Sequence, residues 1–171
     1  IYGKKENQLK ALDHVSFIVE KGQFVAVTGA SGSGKSTLLN LLGSMDDAQE
    51  GSVRLEGEDV VGMKEKQRAV FRRRKIGFVF QEYNLVPVLN VEENIQIPVR
   101  LDGKQIDLDY LAQLLHILGL EVRKYHLPEE LSGGQKQLLN LASVVIMQPD
   151  VLLLDEPTAQ LDPIGTGRFL D

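Results

Sequence analysis

The chain of 171 residues contains no cysteine and no tryptophan. Without cysteine it can form neither disulfide bonds nor thiolate metal sites, and a reducing compartment is compatible with that composition. The formal net charge is −5, and an acidic balance argues against a broad nucleic-acid-binding surface. No nucleic-acid partner is therefore expected, although backbone amides can still bind phosphate groups locally.

Long apolar runs are also missing. The longest, Leu138–Met147 and Val151–Leu154, are too short to span a bilayer, and no charged-then-apolar leader opens the sequence. If the protein works at a membrane, we expect another polypeptide to supply the membrane-embedded part. The remaining composition is ordinary, with 43% hydrophobic and 25% charged residues, and suits a compact α/β domain.

The apolar pattern predicts short strands that alternate with helices. The predicted strands are Leu12–Val19, Phe24–Thr28, Gly51–Gly57, Ile76–Phe80 and Val151–Leu154. The predicted helices are Ser36–Leu42, Lys64–Lys75, Asp109–Leu118 and Gln135–Met147. Aliphatic strands followed by helices indicate an α/β fold with a mainly parallel core sheet, and the alternating N-terminal strands indicate a small antiparallel β layer beside it.

A phosphate-binding loop lies between the second predicted strand and the first predicted helix. Residues Gly29–Ser36 match G-x-x-x-x-G-K-[ST] in full, the P-loop of P-loop NTPases. We expect Lys35 to bind the β- and γ-phosphates and Ser36 to bind Mg²⁺. A flexible glycine turn is the alternative, but it does not account for the complete motif. The predicted nucleotide-binding residues here are Gly29, Ser31, Gly32, Ser33, Gly34, Lys35, Ser36 and Thr37.

Two acids follow the aliphatic strand Val151–Leu154. In open α/β sheets ligands bind at the carboxyl ends of the strands. We expect Asp155 to hold Mg²⁺ through water and Glu156 to polarise the attacking water. A solvated acidic strand end is the alternative, and the phosphate loop in the same chain weighs against it.

The segment Leu131-Ser132-Gly133-Gly134-Gln135 is the signature motif of ABC ATPases. Together with Asp155–Thr158 and Leu161-Asp162 it resembles that family in order and spacing over almost the whole chain. The resemblance implies a P-loop NTPase with a helical subdomain that carries the signature. It also implies a head-to-tail dimer, in which signature residues of one subunit close on ATP held by the other. Those residues are Leu131, Ser132, Gly133, Gly134 and Gln135.

Four further residues take roles from the same resemblance. Gln81 corresponds to the Q-loop glutamine, which senses Mg²⁺, contacts the transmembrane partner and shares the catalytic role with Glu156. Tyr2 corresponds to the aromatic residue that stacks on adenine, and Leu161 with Asp162 forms the D-loop at the dimer interface. The implied metal-binding residues are Ser36, Gln81 and Asp155.

The subgroup is indicated by two segments. Ile76–Gln81 with Asn84-Leu85 resembles ATPases of the macrolide-export and lipoprotein-release type, whereas Met147–Pro163 is similar to ATPases of energy-coupling-factor vitamin importers. Transport direction is therefore left open.

The sequence departs from the family pattern on the signature helix and near the C-terminus. Leu138 and Ser143 stand where many members have arginine, which removes fixed positive charge. The family's switch histidine follows the D-loop, whereas the three histidines here precede the acids: His14, His116 and His126. We therefore expect a C-terminally incomplete domain that hydrolyses ATP slowly, with a core at about 1–80 and 148–171 and a helical subdomain at about 82–147.

The first interpretation is an ATP-hydrolysing subunit of an ABC transporter. It would lie peripherally on the cytoplasmic face of the membrane. Its partners would be an integral membrane permease and a second ATPase subunit, and its cofactor would be Mg²⁺. The alternatives are a soluble ABC ATPase acting on DNA or ribosomes, and an ATP-gated interaction module with little turnover. Arg72–Lys75 is the only basic cluster, and neither a coiled-coil insertion nor a basic linker supports the DNA-directed alternative.

Overall fold

The computed structural model describes residues 10–157, and the chain divides into two compact units, residues 1–68 and 69–171. The predictions for Tyr2, Leu161 and Asp162 lie outside the described residues. The division predicted from the sequence, a core interrupted by a helical subdomain, stays a prediction.

The first unit contains one helix and one hairpin. Helix α1 spans Lys35–Leu42 and confirms the predicted helix there. Strand β1, Arg54–Leu55, pairs antiparallel with β2, Glu58–Asp59. The intervening Glu56 and Gly57 have φ angles of 49° and 85°, the left-handed pair that a two-residue hairpin turn requires. The strand predicted over Gly51–Gly57 is therefore formed only at its centre.

Two strands predicted in the first unit are wrong. Residues 10–30 contain no strand, although Leu12–Val19 and Phe24–Thr28 carry the apolar patterns of strands. Apart from the half-buried Leu12, their side chains are exposed: Ile18 is 85% and Phe24 79% accessible. A strand needs a neighbour that accepts and donates its backbone hydrogen bonds, and a side-chain pattern does not specify that neighbour.

Helix α2, Glu65–Lys75, begins in the first unit and ends in the second, where strand β3, Ile76–Val79, follows directly. Strand β3 pairs parallel with β4, Val151–Leu154, in the register Ile76 to Val151 through Val79 to Leu154. The Asp150 amide donates to the Lys75 carbonyl at 2.9 Å, and the Asp155 amide donates to the Val79 carbonyl at 3.0 Å. These strands and α2 confirm the sequence prediction, and the parallel pair is bonded at both ends.

Three α-helices lie between β3 and β4 in the described part of the second unit: α3, Val91–Leu101; α4, Leu108–Ile117; and α5, Gly133–Val145. Their shared core consists of Val91, Ile95, Val99, Leu111, Leu114, Leu115, Leu120, Leu131, Leu139, Ala142 and Ile146. Helices α4 and α5 confirm their predictions within two residues. Helix α3 was not predicted from the sequence, although Asn90 and Glu93 form a capping box at its start.

A buried asparagine holds the loop that precedes α3. Asn94 is 3% exposed, and its Oδ1 accepts from the Val86 amide at 2.8 Å. Its Nδ2 donates to the carbonyls of Val86, Leu89 and Asn90 at 3.1, 2.7 and 3.0 Å. Since a buried polar group is costly unless it is paired, these four bonds fix residues 86–90 against the helix.

Gly77 is a position at which the neighbours of β3 approach the strand closely. A Cβ atom built there would lie 2.6 Å from Val144 Cγ1, 2.8 Å from Pro149 Cγ and 2.9 Å from Leu152 Cδ1. Contacts on three sides leave no room for a methyl group, because protein interiors are closely packed. Glycine at this position therefore lets α5 pack directly on the strand.

We expect Gly77→Ala to lower the free energy of unfolding by about 1–3 kcal/mol, the usual cost of overpacking a core. Chemical denaturation would measure it. Gly62→Ala is the matched control, because a Cβ there meets no atom within 4 Å and should be neutral or slightly stabilising. Equal effects of the two substitutions would contradict the packing described for β3.

Candidate functional site

The phosphate loop and the start of α1 lie in the first unit. The N-cap of α1 is Gly34, with φ of 94°, and no side chain caps the helix. A Cβ at Gly34 would lie 2.4 Å from the Ala11 carbonyl oxygen, so glycine is required by both backbone conformation and space. The first turn holds no acidic residue. A helix start without a capping side chain or an acid nearby is suited to an anionic ligand.

The Lys35 side chain folds back over this loop. Its Nζ donates to the carbonyl oxygens of Gly29 at 2.9 Å and Ala30 at 3.0 Å. Both acceptors are neutral, and a bond between an ammonium and an anionic oxygen is stronger. A phosphate entering the loop can therefore compete for the ammonium without any rearrangement of the fold.

The second unit brings Gln81, Asp155 and Glu156 to one edge of the parallel pair. One residue, Phe80, separates Gln81 from the end of β3, and Asp155 and Glu156 follow β4 directly. Gln81 Nε2 donates to Glu156 Oε2 at 3.1 Å. Residues that are 75 positions apart in the sequence therefore meet because the strands are parallel and in register.

Glu156 has an unusual backbone conformation. Its φ is 48°, in the left-handed region that costs a non-glycine residue about 1–2 kcal/mol. Backbone strain of this kind concentrates at functional sites. Its side chain is exposed while Asp155 is half-buried, so the two adjacent carboxylates have different surroundings.

Tyr83 is a further ionisable group, two residues after Gln81 in the sequence. Burial raises the pKa of its phenol above the ordinary value, so the group stays protonated and uncharged at neutral pH.

The signature segment forms the start of α5. The Ser132 hydroxyl oxygen accepts from the Gln135 amide at 3.3 Å, and Gln135 Oε1 accepts from the Ser132 amide at 2.9 Å. This reciprocal pair is a capping box. The Ser132 hydroxyl hydrogen is not used by that bond, because the oxygen acts as acceptor. Leu131 is 5% exposed and anchors the segment in the helical core.

The structure thus places each predicted residue from Gly29 to Thr37, Gln81, the signature residues, Asp155 and Glu156 among the described residues. Gln81 and Glu156 contact each other; the sequence suggested roles for both but not their bond. Sequence reasoning also missed Asn140, whose Nδ2 donates to the Phe80 carbonyl oxygen at 3.3 Å. A signal was present, since Asn140 interrupts the apolar run Leu138–Met147.

Over residues 10–157 no helix has the length and apolar character needed to cross a membrane.

Comparison with solved structures gives two dimeric ATP-binding cassettes. One is described as a post-hydrolysis state bound to ADP and phosphate; it has a TM-score of 0.89 and 34% identity, and the match covers 99% of this chain and 75% of that one. The other is a bacterial ABC transporter cassette with a TM-score of 0.83 and 34% identity, covering 94% of this chain and 72% of that one. The predicted α/β, P-loop NTPase fold class is confirmed.

Comparison with known sequences gives the family and several relatives. The ABC transporter family model matches residues 12–159. The bacitracin export ATP-binding protein of Halalkalibacterium halodurans is 44% identical, over 99% of this chain and 68% of that protein. The lipoprotein-releasing system ATP-binding protein of Rhodopirellula baltica is 43% identical, over 90% of this chain and 68% of that protein. The macrolide export ATP-binding/permease protein of Hyphomonas neptunium is 42% identical, over 99% of this chain and 27% of that protein.

These relatives confirm the resemblance to ATPases of the macrolide-export and lipoprotein-release type. With the complete phosphate loop and the signature segment in place, the chain belongs to the ABC transporter family and is an ATP-binding, ATP-hydrolysing subunit of that family.

Proposed function

We propose that Glu156 is the general base for ATP hydrolysis and that Gln81 orients its carboxylate. The observation that carries this proposal is the bond from Gln81 Nε2 to Glu156 Oε2, at 3.1 Å, on the carboxyl edge of β3 and β4. A carboxylate has several lone pairs, and one oxygen held by Gln81 leaves the other able to accept a proton from water. The glutamine amide is neutral, so it directs the carboxylate without neutralising it.

Lys35 and the start of α1 bind the phosphates in this proposal. The ammonium exchanges the carbonyls of Gly29 and Ala30 for phosphate oxygens, and Gly34 allows the loop amides to approach the anion closely. The capped signature helix α5 supplies a second anion-binding terminus. Ser132 can donate its hydroxyl hydrogen to a phosphate oxygen while the Gln135 amide still bonds to its oxygen.

Mg²⁺ is proposed as the cofactor, held by Ser36, Gln81 and Asp155 together with the phosphates. The donor set fits: a hydroxyl, an amide oxygen and a carboxylate are hard oxygen ligands, and Mg²⁺ is usually bound through one or two carboxylates plus phosphate oxygens. When bound, the cation would neutralise charge that develops on the phosphates. That these three residues share one cation stays a prediction.

The proposed assembly is a head-to-tail pair of ATPase subunits that works with an integral membrane permease on the cytoplasmic face of the membrane. Support comes from the solved relatives, which are dimers, and from a relative that is named as a combined ATP-binding and permease protein. ABC ATP-binding domains pair with membrane permeases, and in this proposal ATP-driven dimer closure moves the substrate through the permease.

We expect Lys35→Ala to weaken MgATP binding by about 10- to 150-fold, because a charge-assisted contact contributes about 1.5–3 kcal/mol. Equilibrium titration with a fluorescent ATP analogue would measure the dissociation constant. Lys66→Ala removes the same charge from the exposed face of α2 and should bind as the parent does. If Lys35→Ala retained parental affinity, the role proposed for the phosphate loop would be wrong.

We expect Glu156→Gln in the full-length protein to bind ATP normally and to hydrolyse it about 10²- to 10⁴-fold more slowly, the range for loss of a general base. The amide keeps the shape of the side chain but cannot take up a proton from water. The variant should also accumulate an ATP-bound dimer, which light scattering with MgATP would detect.

Glu58→Gln is the control for that substitution, since Glu58 is exposed in the hairpin of the first unit. It should hydrolyse ATP at the parental rate. A parental rate for Glu156→Gln would assign the catalytic role to another residue.

A further inference from the structure

Asn140 is a buried polar side chain on the inner face of α5. It is 4% exposed and lies between Leu139 and Ala142, which are both fully buried. Its Nδ2 donates to the Phe80 carbonyl oxygen at 3.3 Å, across 60 positions of sequence. Burial of an asparagine amide is unfavourable without such a partner, so the bond accounts for the burial of this polar side chain.

The carbonyl that Asn140 holds lies just beyond the strand ladder. The Val79 carbonyl accepts from the Asp155 amide at 3.0 Å, the last backbone bond between β3 and β4. The next carbonyl along the chain is that of Phe80, and Asn140 is its donor. That carbonyl belongs to the same planar peptide group as the Gln81 nitrogen. Asn140 therefore restricts the peptide plane from which Gln81 extends.

Packing keeps α5 in the register that this bond needs. Val144 lies one helical turn after Asn140 and contacts β3 at Gly77, where a Cβ atom would approach it to 2.6 Å. The Phe80 ring is held as well, since it stacks on Phe78 with centroids 4.3 Å apart. The strand end is thus fixed on two sides, and its backbone carbonyl is tied to the signature helix.

We propose that Asn140 is a positioning residue for hydrolysis: it ties the signature helix α5 to the Phe80–Gln81 peptide, and through it sets Gln81 against Glu156. The inference rests on the catalytic roles proposed above for those two residues. Displacement of α5, which begins at the signature segment, would then be transmitted to the Gln81–Glu156 bond through one side-chain contact. Asn140 is not a catalytic residue here, because its side-chain amide bonds to the Phe80 backbone carbonyl and not to Gln81 or Glu156.

The test is a double-mutant cycle in steady-state ATPase of the full-length protein. Asn140→Leu keeps the shape of the side chain and removes the donor; Asn140→Ala serves if the leucine variant folds poorly. We expect kcat to fall about tenfold with KM for ATP within twofold, because small misplacements of catalytic groups reduce the rate strongly. In a Gln81→Ala background the same substitution should change kcat by less than twofold.

Asn94→Leu is the matched control. Asn94 is a buried asparagine of the same unit, at 3% exposure, and its bonds go to residues 86–90 rather than to the Phe80–Gln81 peptide. Chemical denaturation should show a larger loss of unfolding free energy for Asn94→Leu than for Asn140→Leu, because Asn94→Leu breaks four bonds. Its loss of kcat should be smaller, because those bonds do not reach Gln81.

The inference would be overturned by parental kcat in Asn140→Leu, by an equal loss of kcat with and without Gln81, or by a kcat loss in Asn94→Leu as large as in Asn140→Leu. A parental kcat in Gln81→Ala would overturn it too, since Asn140 would then have no catalytic group to position. Failure of the proposed function is seen separately, as parental turnover by Glu156→Gln measured alongside.

Discussion

The parallel pairing of β3 with β4 is the contact on which the candidate site depends. It is only four residues long, and it is bonded at both ends by the amides of Asp150 and Asp155. Because the strands run in the same direction, Gln81 and Glu156 emerge at one edge and bond at 3.1 Å. A shift of one residue would turn every side chain of the shifted strand to the opposite face and would separate the glutamine from the carboxylate. Gly77 supports that register, since it lets α5 pack directly against the strand.

The two helix starts to which we assign anion binding have different caps. Helix α1 starts at Gly34 without a capping side chain, so its phosphate affinity comes from backbone amides and Lys35. Helix α5 starts at Ser132 with a complete capping box, so its amides are partly used and its shape is fixed in advance. The first arrangement favours tight binding of a ligand, and the second favours a rigid surface that presents one hydroxyl.

Local sequence predicted much of this arrangement because the relevant signals are local. Strand β4, helix α1 and helix α5 follow from short apolar patterns and glycine punctuation, and the phosphate loop follows from a complete motif. Helix α3 was missed although Asn90 and Glu93 give a helix-start signal, and Pro98 within the helix weakens the pattern.

Long-range pairing was not predictable in the same way. Residues Leu12–Val19 and Phe24–Thr28 carry the apolar patterns of strands, but such a pattern does not specify which other strand would pair with them. The bonds of Gln81 to Glu156 and of Asn140 to Phe80 join residues 75 and 60 positions apart. Both depend on the register of β3 and the packing of α5. The residue types could be identified in the sequence, but their contacts could not be predicted without the tertiary structure.

Single-turnover hydrolysis of bound MgATP distinguishes whether Gln81 and Glu156 act as one catalytic unit. Residues that act as a unit have strongly non-additive effects when they are replaced. We therefore expect a protein carrying both Gln81→Ala and Glu156→Gln to hydrolyse ATP no more than about twofold slower than Glu156→Gln alone. Losses that multiply, so that the double variant shows the full product of the two single effects, would contradict that expectation.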